Sequence, residues 1–147
     1  MSHVAFYRRN LPHWRVQGSC YFVTFRLHRL QPELRFEERT LVEKILLNGE
    51  DRDYRLDAYV VMNDHVHVIL RPPPTRRLED LVQQWKSISA HLIKRSSDRR
   101  GAIWQREYFD RVVRDEREWF EKMTYIIGNP IKRWPEIVGY RWVRPRL

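Results

Sequence analysis

The chain has 147 residues, and its 28 Lys and Arg against 19 Asp and Glu leave a formal net charge of +9. At 42% hydrophobic and 13% aromatic it is too apolar for a disordered chain. No apolar run approaches the ~18 residues of a membrane span, and "MSHVAFYRRN" lacks the apolar core of a secretory signal.

The length suits one domain with one core. The single cysteine, Cys20, excludes an internal disulfide, suits a reducing cytoplasm and reads as a small buried hydrophobe. The positive charge points to a polyanion, most often nucleic acid. "SCYFVTFRLH", Ser19 to His28, predicts a strand with Tyr21, Val23 and Phe25 on one face and Phe22, Thr24 and Arg26 on the other. "PELRFEERTLVEKILLNG" predicts a helix: Leu41, Val42, Ile45 and Leu46 recur at helical spacing and Gly49 supplies a stop. "YRLDAYVVM" and "HVHVILRP" predict two strands joined at Asn63 and Asp64, and "PPPT" breaks the chain after them. "LEDLVQQWKSISAHLIKRS" predicts the clearest helix, with one stripe of Leu78, Leu81, Val82, Trp85, Ile88, Leu92 and Ile93. Arg99 to Gly101 predicts a turn, and "AIWQREYFDRVVR" a fourth strand. "DEREWFEKMTYII" predicts a third helix opening on Asp115 as N-cap. After Pro130 two further prolines make the tail irregular. The order β-α-β-β-α-β plus a helix predicts a ferredoxin-like α+β fold, an antiparallel sheet with two helices on one face. A single domain is expected over 1–147, its core about 18–133 and its short tail 134–147.

In a strand alternate residues share a face. His65 and His67 therefore point the same way, and Val66, Val68 and Leu70 the other. If the helices cover the valine face, the histidine face is the open one. Two imidazoles about 6.6 Å apart along a strand can converge on one cation; the same spacing also suits two surface histidines. On the third helix Trp119, Phe120, Met123, Ile126 and Ile127 form the apolar stripe and Tyr125 falls roughly opposite. Asn129, four residues on, reaches the same place if the helix continues. Pro130 argues against that, since the residue before a proline is pushed from helical angles; Asn129 is then a C-cap beside Gly128.

Two motifs in this order carry a resemblance. "VVMNDHVHVIL" resembles the histidine–hydrophobic–histidine strand of the HUH endonucleases. "WQREYFDRVVRDEREWFEKMTYIIGNPIKRW" resembles the closing segment of the REP-associated tyrosine transposases, in which a tyrosine precedes an Asn-Pro pair by four residues; here these are Tyr125, Asn129 and Pro130. "RRNLPHWRVQGSCYFVTFRL" resembles that family's opening, so the likeness runs from about Arg8 to Arg133. "IKRW" after Asn-Pro departs from the family's small glycine-bearing turn, and the tail is short.

The resemblance implies a metal-dependent single-stranded DNA endonuclease and strand transferase acting through a 5′-phosphotyrosine, on hairpin-forming repeat DNA. It implies Tyr125 as nucleophile, His65 and His67 as ligands to Mg²⁺ or Mn²⁺, and Asn129 as a third ligand. It also implies a monomer or homodimer in a bacterial cytoplasm, associated with the nucleoid. Basic residues interleaved with aromatics, as in "IWQREYFDRVVRD", suit single strands. Lys86, Trp104, Arg106, Arg111 and Arg114 are the candidates for DNA contact; Trp85 fits the core stripe better, and Arg111 and Arg114 can pair instead with Asp110 and Asp115. Two other readings compete. A non-catalytic single-stranded nucleic-acid-binding module has no use for both histidines and the tyrosine, and a phosphodiesterase using water leaves no covalent adduct.

Overall fold

Period-two alternation and β-branched residues dictate the centre of the molecule. The computed structural model describes residues 19–145; the opening motif through Gly18, with "FYRRN" and "HWRV", lies outside them. In chain order come β1 (Cys20–Leu27), α1 (Phe36–Asn48), β2 (Arg55–Val61), β3 (His65–Arg71), α2 (Leu78–Arg95), β4 (Trp104–Val113), α3 (Glu116–Arg133) and β5 (Val143–Arg144). The strands form one antiparallel sheet in the order β4-β1-β3-β2-β5. Its first four strands have the ferredoxin-like arrangement that the element order predicts. Among the described residues no helix is long and apolar enough to cross a membrane.

Each sheet face has its own core. On one side Val23, Phe25, Val66, Val68 and Leu70 pack under α1 and α2 with Leu46, Leu81 and Trp85. On the other, Phe22, Ala58, Val60 and Ile69 pack under α3 with Trp119, Met123 and Ile126. The histidine face is therefore covered by α3, not open as the alternation of β3 suggests, and His67 is only 2% exposed.

Two other boundaries differ from expectation. First, α1 starts at Phe36, because the preceding Pro32 and Glu33 give their carbonyls to Arg99, at 2.8 and 2.7 Å. Arg99 also grips both carboxylate oxygens of Glu38, which in turn accepts the Arg35 N–H at 2.8 Å and closes the helix start. Second, α3 runs through Pro130 to Arg133. Proline cannot donate to the preceding turn, but Ile126, Asn129 and Pro130 are all buried, and that packing outweighs the lost bond. At the end of α1, a side chain on Gly49 would come within 2.6 Å of the Tyr54 hydroxyl, so the stop residue must be small.

The tail, expected to be irregular, returns to the sheet. Val143 and Arg144 pair with Val60 and Tyr59 of β2, Trp142 joins the core, and Arg144 binds Glu50 at 2.9 Å.

The Arg99–Glu38 pair is nearly sealed, at 2% and 4% side-chain exposure. Arg99→Met should cost about 3–5 kcal/mol, because it strands a buried carboxylate; urea titration measures this. Burial pushes the Glu38 carboxyl up, but the hydrogen bonds from Arg99 and the Arg35 N–H outweigh it and leave the group below its ordinary 4.5. Its contribution is thus present above pH 4.5 and lost as pH falls through the depressed value. The wild type should weaken over that range, and Arg99→Met should not show this component.

Candidate active site

β3 supplies two imidazoles, and its neighbours orient them. The β1–β3 register sets Thr24 opposite His67, and Thr24 Oγ1 lies 2.7 Å from His67 Nδ1. Asp64, just before the strand, places Oδ1 2.7 Å from His65 Nδ1. The two rings stand 4.7 Å apart, nearly perpendicular. In the tautomer whose proton sits on Nδ1, toward this carboxylate, the His65 Nε2 is the ligating nitrogen. With the His67 Nδ1 proton directed at Thr24 Oγ1, its Nε2 is the ligating nitrogen as well. That atom is buried and, among the described residues, has no hydrogen-bond partner. Burial first, then the positive fields of His65, Arg26 and Lys122, push the His67 pKa down to about 3. His67 is therefore neutral at physiological pH, the state in which imidazole binds a metal.

α3 completes the constellation. Continuation of the helix through Pro130 brings Asn129 Oδ1 to 3.1 Å from His65 Nε2. The Asn129 amide nitrogen donates to the Tyr125 carbonyl at 3.2 Å, so the oxygen faces the imidazole. The two atoms lie at hydrogen-bond distance and point into the same small volume. His65 Nε2, His67 Nε2 and Asn129 Oδ1 could hold a divalent ion. Among the described residues no group of three His, Cys, Asp or Glu offers an alternative. An ion held by these three groups would still have room to bind a substrate oxygen.

Tyr125 stands at the edge of this cluster. Its ring meets that of His67 edge-on at 5.1 Å and that of Phe22 at 6.1 Å. It is 44% exposed, and among the described residues its hydroxyl has no hydrogen-bond partner. A groove of about 560 Å³ opens beside it, lined by Phe22, Arg26, Gln105, Phe109 and Lys122 among others. A bulge shapes the groove: Phe25 pairs with Tyr108 but Leu27 with Trp104, so Gln105, Arg106 and Glu107 oppose Arg26 alone.

A second bulge fixes the helix. Leu56 pairs with Leu70 and Ala58 with Ile69, leaving Asp57 as the extra residue of β2. Its carboxylate accepts from the Trp119 indole at 2.9 Å and from Arg71 Nε at 3.2 Å. This polar tie joins α3 to the sheet two turns before Tyr125. Cys20 lies buried beside it, and burial pushes its thiol well above the ordinary range.

The structure brings together Tyr125, His65, His67 and Asn129. It scatters the expected DNA contacts. Trp104 is 5% exposed, packs on Phe25 and donates its indole N–H to Ser89 at 2.8 Å, so it is a core residue. The Lys86 ammonium is spent on the Arg106 carbonyl at 2.9 Å, holding the β4 bulge from behind. Arg111 pairs with Glu118 of α3 and not with Asp110; Arg114 gives its backbone N–H to the same Glu118 and not to Asp115. The side chains of Arg106 and Arg114 are exposed, outside the groove lining. Sequence reasoning passed over Thr24, Asp64, Arg26 and Lys122. Only Asp64, adjacent to His65, carried a local signal; the others depend on strand register or on how α3 docks.

A family model described as "Transposase IS200 like" matches residues 22–126. A REP-associated tyrosine transposase of Escherichia coli (strain K12) is 23% identical, with 86% of this chain and 72% of that protein covered. A putative REP-associated tyrosine transposase of Haemophilus influenzae is 24% identical over 61% of each protein. Among solved structures, a REP-associated tyrosine transposase bound to a REP hairpin superposes with a TM-score of 0.72 at 19% identity, covering 87% of this chain and 77% of that one. A putative transposase from Deinococcus radiodurans R1 superposes with a TM-score of 0.54 at 23% identity, covering 76% and 90%. The curated relatives carry the family name to which the histidine and tyrosine motifs pointed.

Proposed function

The chain belongs to the IS200-like transposase family, and from that premise we propose that it nicks and rejoins single-stranded DNA through a 5′-phosphotyrosine on Tyr125. One observation carries the reading. Among the described residues, a phenol without a hydrogen-bond partner stands beside two imidazoles, one with its Nε2 buried and unpartnered and the other with its Nε2 at 3.1 Å from an amide oxygen. A binding surface has no use for that arrangement. A divalent ion, Mg²⁺ or Mn²⁺, held by His65, His67 and Asn129 supplies the positive charge that an anionic phosphodiester needs to accept a nucleophile.

The chain's own groups do the rest. Asp64 and Thr24 keep the imidazoles in their ligating tautomers. α3 presents Tyr125 Oη to the phosphorus. A bond forms between Oη and phosphorus as the bond from phosphorus to the 3′-oxygen breaks, and the departing oxygen ends as a hydroxyl with the proton the phenol gives up. The 3′-hydroxyl of another strand reverses the step and restores the phenol. One phosphoester replaces another each time, so no nucleotide triphosphate is consumed. A REP hairpin is the DNA held by one structural neighbour, and hairpin-forming DNA with a single-stranded flank is the substrate class proposed here.

Incubation of the protein with end-labelled hairpin DNA and Mn²⁺, resolved on a denaturing gel, should show a protein–DNA adduct that chelator prevents. Binding should weaken with salt, by about 0.7 in the log–log slope for each phosphate neutralised. Cleavage that never passes through an adduct, or tighter binding to a plain duplex, would reject the reading.

A further inference from the structure

The groove beside Tyr125 holds two cations that the chemistry above does not use. Lys122 lies three residues before Tyr125, so the two side chains are neighbours on α3. Its ammonium is 4.9 Å from the centre of the Phe22 ring, and that ring stacks on His67 at 5.3 Å. Arg26 enters from β1, opposite the β4 bulge. Among the described residues neither has a carboxylate within ion-pairing distance, whereas neighbouring Arg71 and Arg111 are paired with Asp57 and Glu118. Among the described residues that line the groove, Glu107 is the only carboxylate.

Resting on the nicking reading above, we propose that Lys122 and Arg26 form an anion site that seats one phosphate of the single strand against Tyr125. Both cations line the same groove as His67 and Tyr125. A divalent ion on the histidines would add a third cation to the same small volume. Such a concentration of like charge is costly until an anion enters. A phosphodiester meets this need with its two non-bridging oxygens: Arg26 offers a planar fork to one side and Lys122 a point charge beside the nucleophile. The groove volume, about 560 Å³, also admits the attached nucleotide. The Phe22 ring lies under the Lys122 ammonium and so helps to aim it.

The test uses the full chain, a hairpin with a single-stranded flank, and a set of the same strands each carrying one uncharged methylphosphonate linkage in the flank. Lys122→Met keeps a long unbranched side chain and removes the charge. It should slow cleavage at saturating DNA by about 10- to 100-fold while moving overall affinity far less; Lys122→Arg should recover most of the rate, and Arg26→Gln should resemble Lys122→Met. In a Tyr125→Phe background, where no cleavage intervenes, one methylphosphonate should weaken binding, and adding Lys122→Met should remove that penalty at the same linkage. Arg117→Gln, a charge loss on an exposed part of α3, should do neither. The anion site is overturned if Lys122→Met and Arg26→Gln cleave at the wild-type rate, if Arg117→Gln slows cleavage equally, or if no linkage shows a Lys122-dependent penalty. Wild-type adduct with unaffected variants rejects the anion site and leaves the nicking reading standing. A Lys122-dependent penalty without any wild-type adduct supports the anion site and rejects the nicking reading.

Discussion

Tyr125→Phe is expected to abolish the covalent adduct and lower cleavage by about 10⁴-fold or more, since it deletes the atom proposed to attack. Stability should change by no more than about 0.5 kcal/mol. The hydroxyl has no hydrogen-bond partner among the described residues, and the ring contacts with His67 and Phe22 survive in phenylalanine. Affinity for uncleaved DNA should be nearly unchanged. Tyr108 is the informative control, because it is the other tyrosine lining the same groove. Its hydroxyl is harder to ionise, through burial and the nearby Asp110 and Glu79, and Tyr108→Phe should still form adduct. An adduct that persists in Tyr125→Phe and vanishes in Tyr108→Phe would move the nucleophile from the helix to the strand.

His65→Ala and His67→Ala should each reduce cleavage at least about 100-fold, yet they should differ in stability. The alternation of β3 suggests two side chains on an open face, where truncation costs little. The structure instead buries His67 beneath Phe22 and Tyr125, hydrogen-bonded to Thr24. Its removal should cost about 2–3 kcal/mol, as for other buried truncations. His65 is more accessible, at 15% side-chain exposure, and its truncation should cost about 1 kcal/mol or less. Thermal melts with and without Mn²⁺ separate structure from ligation. An ion that binds only the folded wild type raises its melting temperature, by about 2.7 kcal/mol of stability at a hundredfold excess over Kd. Either alanine variant should lose most of that increment. An unchanged increment in both would remove the histidines from the metal site.

Local periodicity carried the architecture. The valines of β3 and the apolar stripes of α2 and α3 each repeat within a few residues, so their faces can be read without knowing the neighbours. The pairing of His65 and His67 on one side follows from the same parity. What escaped was set by partners distant in the chain. Thr24 reaches His67 only through the register of β1 on β3. The β4 bulge exists only against β1, so "WQREYF" read as a plain strand whose basic and aromatic residues looked available to DNA. Trp104 and Lys86 are buried by contacts with α2 and with the bulge, which composition cannot reveal. Asn129 illustrates a local rule overridden: its place before a proline argued for a helix end, and the burial of Ile126 and Pro130 against the sheet kept the helix going.

Consider where the two halves of the site sit in the fold's order of opening. β3 is hydrogen-bonded on both edges, by β1 and by β2, and has a packed core above and below it. Exposing its amides requires nearly global unfolding. α3 belongs to no sheet and buries one face only, held near its start by the Asp57–Trp119 tie. It can therefore detach at a fraction of the total stability, carrying Tyr125, Asn129 and Lys122 with it while His65 and His67 stay in register. The proposed nucleophile is thus mounted on an element that can let go early, and the proposed metal-binding histidines on the strand that lets go last.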